Sequence, residues 1–219
     1  MMKNDIEKIY EKRSRHYNIT TSLLYNFVGL RVNKHRKLAV ESINLKKGDT
    51  VVEIGCGTGS NFSYLQKAVC SNGKIIGVDL TSSMLAEAKD MIDKNGWKNV
   101  ELIQSDAASF EFPKKVNGIL STFAITMVPE FDQVILNGSK ALLPRGKWVI
   151  MDFKLPTNWL AKFSPILVLL IQPYGGTLEM ADRHPWKSLQ KYLLNVSMNE
   201  FWGGMAYIAC GVHSKGINI

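Results

Sequence analysis

The stretch that decides the fold is Val51-Val52-Glu53-Ile54-Gly55-Cys56-Gly57-Thr58-Gly59-Ser60. Thr50 to Ile54 is rich in β-branched residues and bounded by turn residues on both sides, the signature of a short buried strand. It runs into three glycines at alternate positions, where the backbone can turn sharply and approach a ligand with no Cβ in the way. Asn61 to Val69 then carries the apolar spacing of a helix, whose start near Ser60 would aim free N–H groups into the loop. Taken alone, the loop also reads as a plain glycine-rich connection.

Working outward, further strands are expected over Lys74–Asp79, Val100–Gln104, Val116–Thr122 and Lys147–Phe153. Helices are expected between them over Ser82–Ile92, with Ser82 as its cap, and over Glu130–Leu142. Upstream lie helical stretches over Asp5–Tyr17, Thr21–Val28 and Lys34–Ile43, ended by the turn Lys47-Gly48-Asp49. Strands alternating with helices imply right-handed crossovers and a parallel sheet covered on both faces, a doubly wound α/β fold. The tail breaks the pattern. Val196–Phe201, Gly203-Gly204 and Met205–Val212 read as an antiparallel hairpin that completes a mostly parallel, seven-stranded sheet.

A chain of 219 residues, 46% hydrophobic and 21% charged, carries enough apolar side chains for a core, which excludes a disordered or collagen-like protein. The length suits a single domain over 1–219, with 1–45 as a helical cap and 155–186 as an insertion serving as substrate lid. Lys and Arg number 27 against 19 Asp and Glu, a formal net charge of +8. Eleven of those bases and five of the acids fall in residues 1–50. A basic amino-terminal face suits an anionic partner, and equally a solvated helix surface. Cys56, Cys70 and Cys210 form no CxxC pair and no His stands at metal-ligand spacing, so neither a disulfide framework nor a metal site is expected. The amino terminus alternates charge where a signal peptide needs an apolar run, which points to the cytoplasm. Ile166 to Ile171 is continuously apolar but too short to span a bilayer, and Pro165, Pro173 and Gly175-Gly176 interrupt its surroundings.

A dinucleotide fingerprint from Gly55 and Gly57 would need glycine at position 60, where Ser60 stands. Asp79 ends the second strand, where a carboxylate can accept both hydroxyls of a ribose, and Asp106 follows the third, where it can meet an adenine amino group. A helix cap for Asp79 and a loop turn for Asp106 are the competing readings. Together these residues resemble the class I S-adenosylmethionine-dependent methyltransferase family, over roughly Lys46 to Phe153 plus the terminal hairpin. The resemblance makes Glu53, Gly55, Cys56, Gly57 and Gly59 the first cofactor motif and Asp79 the ribose ligand. It sets Asp106 and Ala107 at the adenine, Leu80 and Met84 against the base, and Thr122 and Tyr17 beside the donor. The chemistry agrees: this donor has no phosphate, its ribose and amino group reward carboxylates, and its sulfonium already carries the leaving group. The protein's task is then positioning, worth about 7–11 kcal/mol, with a base needed only for an acceptor protonated at working pH.

For the acceptor, Tyr10 and Tyr17 resemble the tyrosine-bearing amino-terminal helix of quinone and phospholipid methyltransferases, although core packing explains them as well. Thr126, Lys154, Arg183 and His184 are further pocket candidates, with Asp152 and Trp186 beside them; His16 or His184 is a candidate base. The resemblance implies a small-molecule or lipid acceptor, including the amine of phosphatidylethanolamine. The basic front and the run Trp159–Ile171 allow peripheral contact with an anionic membrane. An RNA methyltransferase using the basic face is the alternative. It is weakened because Ser121-Thr122-Phe123-Ala124 stands where amino-methylating nucleic-acid enzymes carry Asn/Asp-Pro-Pro-Tyr. A cofactor-binding protein without transfer, or a nicotinamide enzyme, is the third reading.

Overall fold

The computed structural model describes residues 31–157, 159, 162 and 182–214. The expected helices over 5–17 and 21–28, with Tyr10, His16 and Tyr17, lie outside the described residues, as does most of the 155–186 insertion.

Helix α1 (Val32–Ile43) leads into strand β1 (Thr50–Ile54), followed by α2 (Phe62–Val69), β2 (Lys74–Asp79), α3 (Ser82–Asn95), β3 (Val100–Gln104) and β4 (Val116–Thr122). After a 3-10 turn at Ile125–Met127 come α4 (Phe131–Ala141), β5 (Leu142–Phe153), α5 (Pro185–Tyr192), β6 (Leu194–Phe201) and β7 (Ala206–Val212). The seven strands form one sheet in the order β3-β2-β1-β4-β5-β7-β6. The five strands β1 to β5 run parallel, and β7 pairs antiparallel with both β5 and β6. Strand order reverses between β1 and β4, which opens a crevice at their carboxyl ends, where ligands settle in doubly wound sheets.

Alternate strand residues feed two cores, as the two-residue period demands. Val51, Ile75, Leu120 and Val149 pack with Val40 and Ile43 of α1, Phe62 and Leu65 of α2, and Leu85 and Ala88 of α3. Val52, Ile76, Ile119 and Ile150 pack on the other face with Val134 and Ile135 of α4 and Leu189 of α5. A Cβ on Gly138 would come within 2.2 Å of the Trp148 ring, so glycine is what lets α4 lie against the sheet there. Helix α5 is held on α4 by Asp132, which accepts hydrogen bonds from Ser188 at 2.7 Å and the Tyr192 hydroxyl at 2.7 Å.

Strands β1 to β4 have the expected bounds. Three expectations need correcting. Ser82 does not cap α3: the cap is Thr81, whose N–H donates to Asp79 Oδ1 at 2.9 Å, because the helix starts directly off the strand tip. Strand β5 begins at Leu142 rather than Lys147, since Leu142 pairs with Val116 before the register shifts and Lys147 pairs with Gly118. The expected insertion also ends inside the fold, where Pro185 and Trp186 open α5 and Trp186 packs edge-on against Tyr207. Among the described residues no helix is long and apolar enough to cross a membrane.

Candidate active site

Gly55, Gly57 and Gly59 all hold left-handed backbone, at φ 68°, 54° and 78°. They do different work. A Cβ on Gly55 would sit 2.2 Å from the Ala124 Cβ, so this glycine permits the β1 loop to touch the loop after β4. Gly59 faces the Phe62 ring, 2.6 Å from an added Cβ. An added Cβ on Gly57 meets nothing within 4 Å and points into open space. The loop is tied to β2 by the Gly55 and Cys56 N–H groups, which donate to the Val78 carbonyl at 2.8 and 3.0 Å.

Asp79 ties the same loop from the side. Its Oδ2 accepts the Gly57 N–H at 2.8 Å while Oδ1 takes Thr81. Burial raises its pKa, partly offset by those N–H groups. Asp106 caps its own turn by accepting the Ala108 N–H at 3.0 Å. Asp79 thus braces the residue that caps α3 without capping the helix itself, Asp106 holds its own turn, and both also line the cleft.

The cleft holds about 960 Å³, its open mouth included. Along the sheet's carboxyl edge, Ser105, Asp106 and Ala107 come after β3, Asp79 and Leu80 after β2, the glycine loop after β1, and Thr122, Phe123 and Ala124 at β4. Strand spacing makes β3 to β4 roughly 14 Å across. Acids thus occupy one end. The other end carries Phe123, Met127, Val128 and Pro129, with Arg36 from α1 as the cationic side chain of the lining among the described residues.

Arg36 is part of a polar network beneath the loop. Its Nη1 donates to Thr122 Oγ1 at 2.6 Å and to Asn61 Oδ1 at 3.3 Å. Asn61 Nδ2 donates to Thr122 Oγ1 at 2.8 Å and to Glu53 Oε1 at 2.5 Å. Glu53 is wholly buried, and its Oε2 has no hydrogen-bond partner among the described residues. Burial pushes its pKa to about 7 against the pull of Asn61 and Arg36. The Cys56 thiol lines the cleft, and burial holds it protonated.

Of the residues singled out in the sequence, Gly55, Cys56, Gly57, Asp79, Leu80, Met84, Asp106, Ala107 and Thr122 come together at the cleft. Glu53 and Gly59 stand behind it. Thr126, Lys154, Arg183 and His184 do not line it. Thr126 is buried with its N–H on Asp152 Oδ2 at 3.0 Å, and its carbonyl takes the Arg183 guanidinium at 2.9 Å. Lys154 pairs with Glu200, and His184 packs on Trp186. Asp152 is buried too, with its pKa raised to about 6 by burial. Arg36 and Phe123 went unread in the sequence. Arg36 sits in Lys34-His35-Arg36-Lys37, where one inward-facing cation looks like its solvated neighbours.

A crevice with bare backbone at one strand tip, acids at the next two and Ser60 where a pyrophosphate loop needs glycine defines a nucleoside-binding enzyme fold of the methyltransferase class. A family model described as "Methyltransferase domain" matches residues 45–193, and the chain belongs to that family. Its donor is S-adenosylmethionine. The chain is 24% identical over 234 residues to a demethylmenaquinone methyltransferase of Staphylococcus carnosus, covering 97% of this chain and 95% of that protein. It is 30% identical over 162 residues to the demethylmenaquinone methyltransferase of Lactobacillus johnsonii, covering 73% of this chain and spanning 65% of that protein's length. A solved structure of a SAM-dependent methyltransferase from Aquifex aeolicus shares the fold, with a TM-score of 0.61 at 20% identity over 81% of this chain and 89% of that one.

Proposed function

We propose that this protein methylates a ring carbon of a quinol-type small molecule. The observation that carries the reading is the division of the cleft: hydrogen-bonding acids at the β2 and β3 tips, apolar and aromatic side chains at β4 and beyond. Similarity to demethylmenaquinone methyltransferases supports it. When bound, S-adenosylmethionine supplies a methyl group on a sulfonium that needs no further activation as a leaving group.

In this reading Asp79 accepts the ribose hydroxyls and Asp106 meets the adenine amino group, while Leu80 and Met84 hold the base. Gly57 keeps the backbone close by contributing no side chain. Arg36 pairs with the donor's carboxylate, with Thr122 and Asn61 fixing the orientation of its guanidinium. Arg36→Gln is expected to weaken S-adenosylhomocysteine binding at least tenfold by calorimetry. Affinity for 5′-methylthioadenosine, which lacks the carboxylate, should change less than twofold. Equal losses for both would show that Arg36 only braces Thr122 and Asn61.

At the acceptor, the ring carbon's electron pair forms the new bond to the methyl group, the carbon–sulfur pair stays on sulfur, and the ring proton leaves to solvent. Incubation with a deuteromethyl-labelled donor and three acceptors, a demethylated naphthoquinol, phosphatidylethanolamine vesicles and bulk RNA, tests the reading. Label is expected on the quinol ring carbon. Label confined to the ethanolamine nitrogen or to RNA would replace it with a lipid or nucleic-acid acceptor.

A further inference from the structure

The sheet's carboxyl edge does not end where the cleft does. Beyond Phe123 at β4 comes Phe153 at the end of β5, with ring centroids 4.8 Å apart. Beyond that comes the turn joining β6 to β7, which lies at this edge because β7 runs antiparallel and Ala206 pairs with both Phe153 and Phe201. That turn carries Trp202. Its ring lies 6.1 Å from Phe153 and 6.3 Å from Phe123, within 4° of parallel to the latter. Phe201 and His35, stacked at 4.0 Å, close the far end.

Three features set this cluster apart from core packing. The rings are half-buried rather than sealed in the core, and Phe123, the first of them, lines the cleft itself. Phe123 at φ 55° and Trp202 at φ 51° both hold left-handed backbone, an unfavourable choice for bulky aromatics, and such strain gathers at binding sites. The turn spends glycine on its next two positions, Gly203 and Gly204, yet keeps tryptophan at the first. The Arg36 guanidinium also lies 5.2 Å from the Phe123 ring centroid. A cation already placed there disfavours a second cation on the wall and favours an electron-rich ring bearing an oxyanion.

We infer that Phe123, Phe153 and Trp202 form the acceptor subsite, a wall on which a flat, phenolic, conjugated ring stacks beside the donor cleft. This rests on the cleft being the methyl-donor site. Its residues come from just after β4, the end of β5 and the β6–β7 turn; the sequence had pointed to polar neighbours at the first two places, Thr126 and Lys154, and to nothing in the turn.

The test measures binding of 1-naphthol, a flat phenol, to the protein saturated with S-adenosylhomocysteine. Trp202→Leu is expected to weaken naphthol binding at least tenfold while S-adenosylhomocysteine affinity stays within twofold. Trp202→Phe, which keeps an aromatic face, should recover naphthol affinity to within threefold of the parent and show that loss in the leucine variant is not misfolding. Naphthol binding equally well to Trp202→Leu, or phosphoethanolamine displacing naphthol from the parent, would overturn the assignment. The two readings fail separately. Quinol methylation with unchanged KM in Trp202→Leu would remove the wall and leave the proposed function. Naphthol binding lost in that variant, with the parent methylating no quinol, would keep the wall and remove the function.

Discussion

Gly57→Leu is expected to abolish S-adenosylhomocysteine binding, by at least a hundredfold in calorimetry, while the protein still folds. Nothing stands within 4 Å of an added Cβ at Gly57, so a side chain there grows into the cleft and takes the donor's volume. The remaining cost is the left-handed backbone at φ 54°, about 1–2 kcal/mol for a residue with a Cβ. At roughly 2–4 °C per kcal/mol for a chain of this size, melting should fall by several degrees. Gly55→Leu is the contrast, because its Cβ would strike Ala124 at 2.2 Å. That variant should lose much more stability than Gly57→Leu. Full donor affinity in Gly57→Leu would place the donor elsewhere.

Glu53→Gln should change how stability depends on pH. Burial raises the Glu53 pKa from 4.5 to about 7 in the folded protein. The native state therefore holds this proton more tightly than the unfolded chain, and the contribution is fully present below about pH 4.5 and is lost as pH rises toward 7. A shift of this size corresponds to about 3 kcal/mol. Glutamine mimics the protonated acid at every pH, so the variant should lack this decline. Urea unfolding at pH 4.5 and pH 8 is expected to show the parent losing about 3 kcal/mol more than the variant between the two. Parallel curves would mean that Arg36 and Asn61 keep Glu53 ionised throughout.

Much of this architecture is legible in residue order, for identifiable reasons. Strands β1 to β4 are short and closed by turn residues, and β1, β2 and β4 are buried along nearly their whole length, so composition alone marks their limits. Most cleft residues named from the sequence are equally readable because they follow strand tips, where chain order and spatial order coincide; Arg36, on α1, follows none and went unread. The acceptor side is different. Thr126, Lys154, Arg183 and His184 have the right chemistry, but three are engaged with Asp152, Thr126 and Glu200, partners 26 to 57 residues away that no local pattern announces. Phe123 and Trp202 look like ordinary apolar residues in sequence. Only the antiparallel return of β7 brings Trp202 beside Phe123, 79 positions earlier in the chain.

The placement of β7 between β5 and β6 has a consequence for biosynthesis. As the polypeptide leaves the ribosome, β6 emerges before the strand that will separate it from β5, so it has no neighbour to join until residues 206–212 follow. Cotranslational assembly can complete the parallel half of the sheet and its glycine loop first, with the antiparallel half added in one late step. A nascent chain stalled short of Ala206 would then present a finished cleft beside an open strand edge, exposed to aggregation, while the antiparallel side of the sheet had yet to be built.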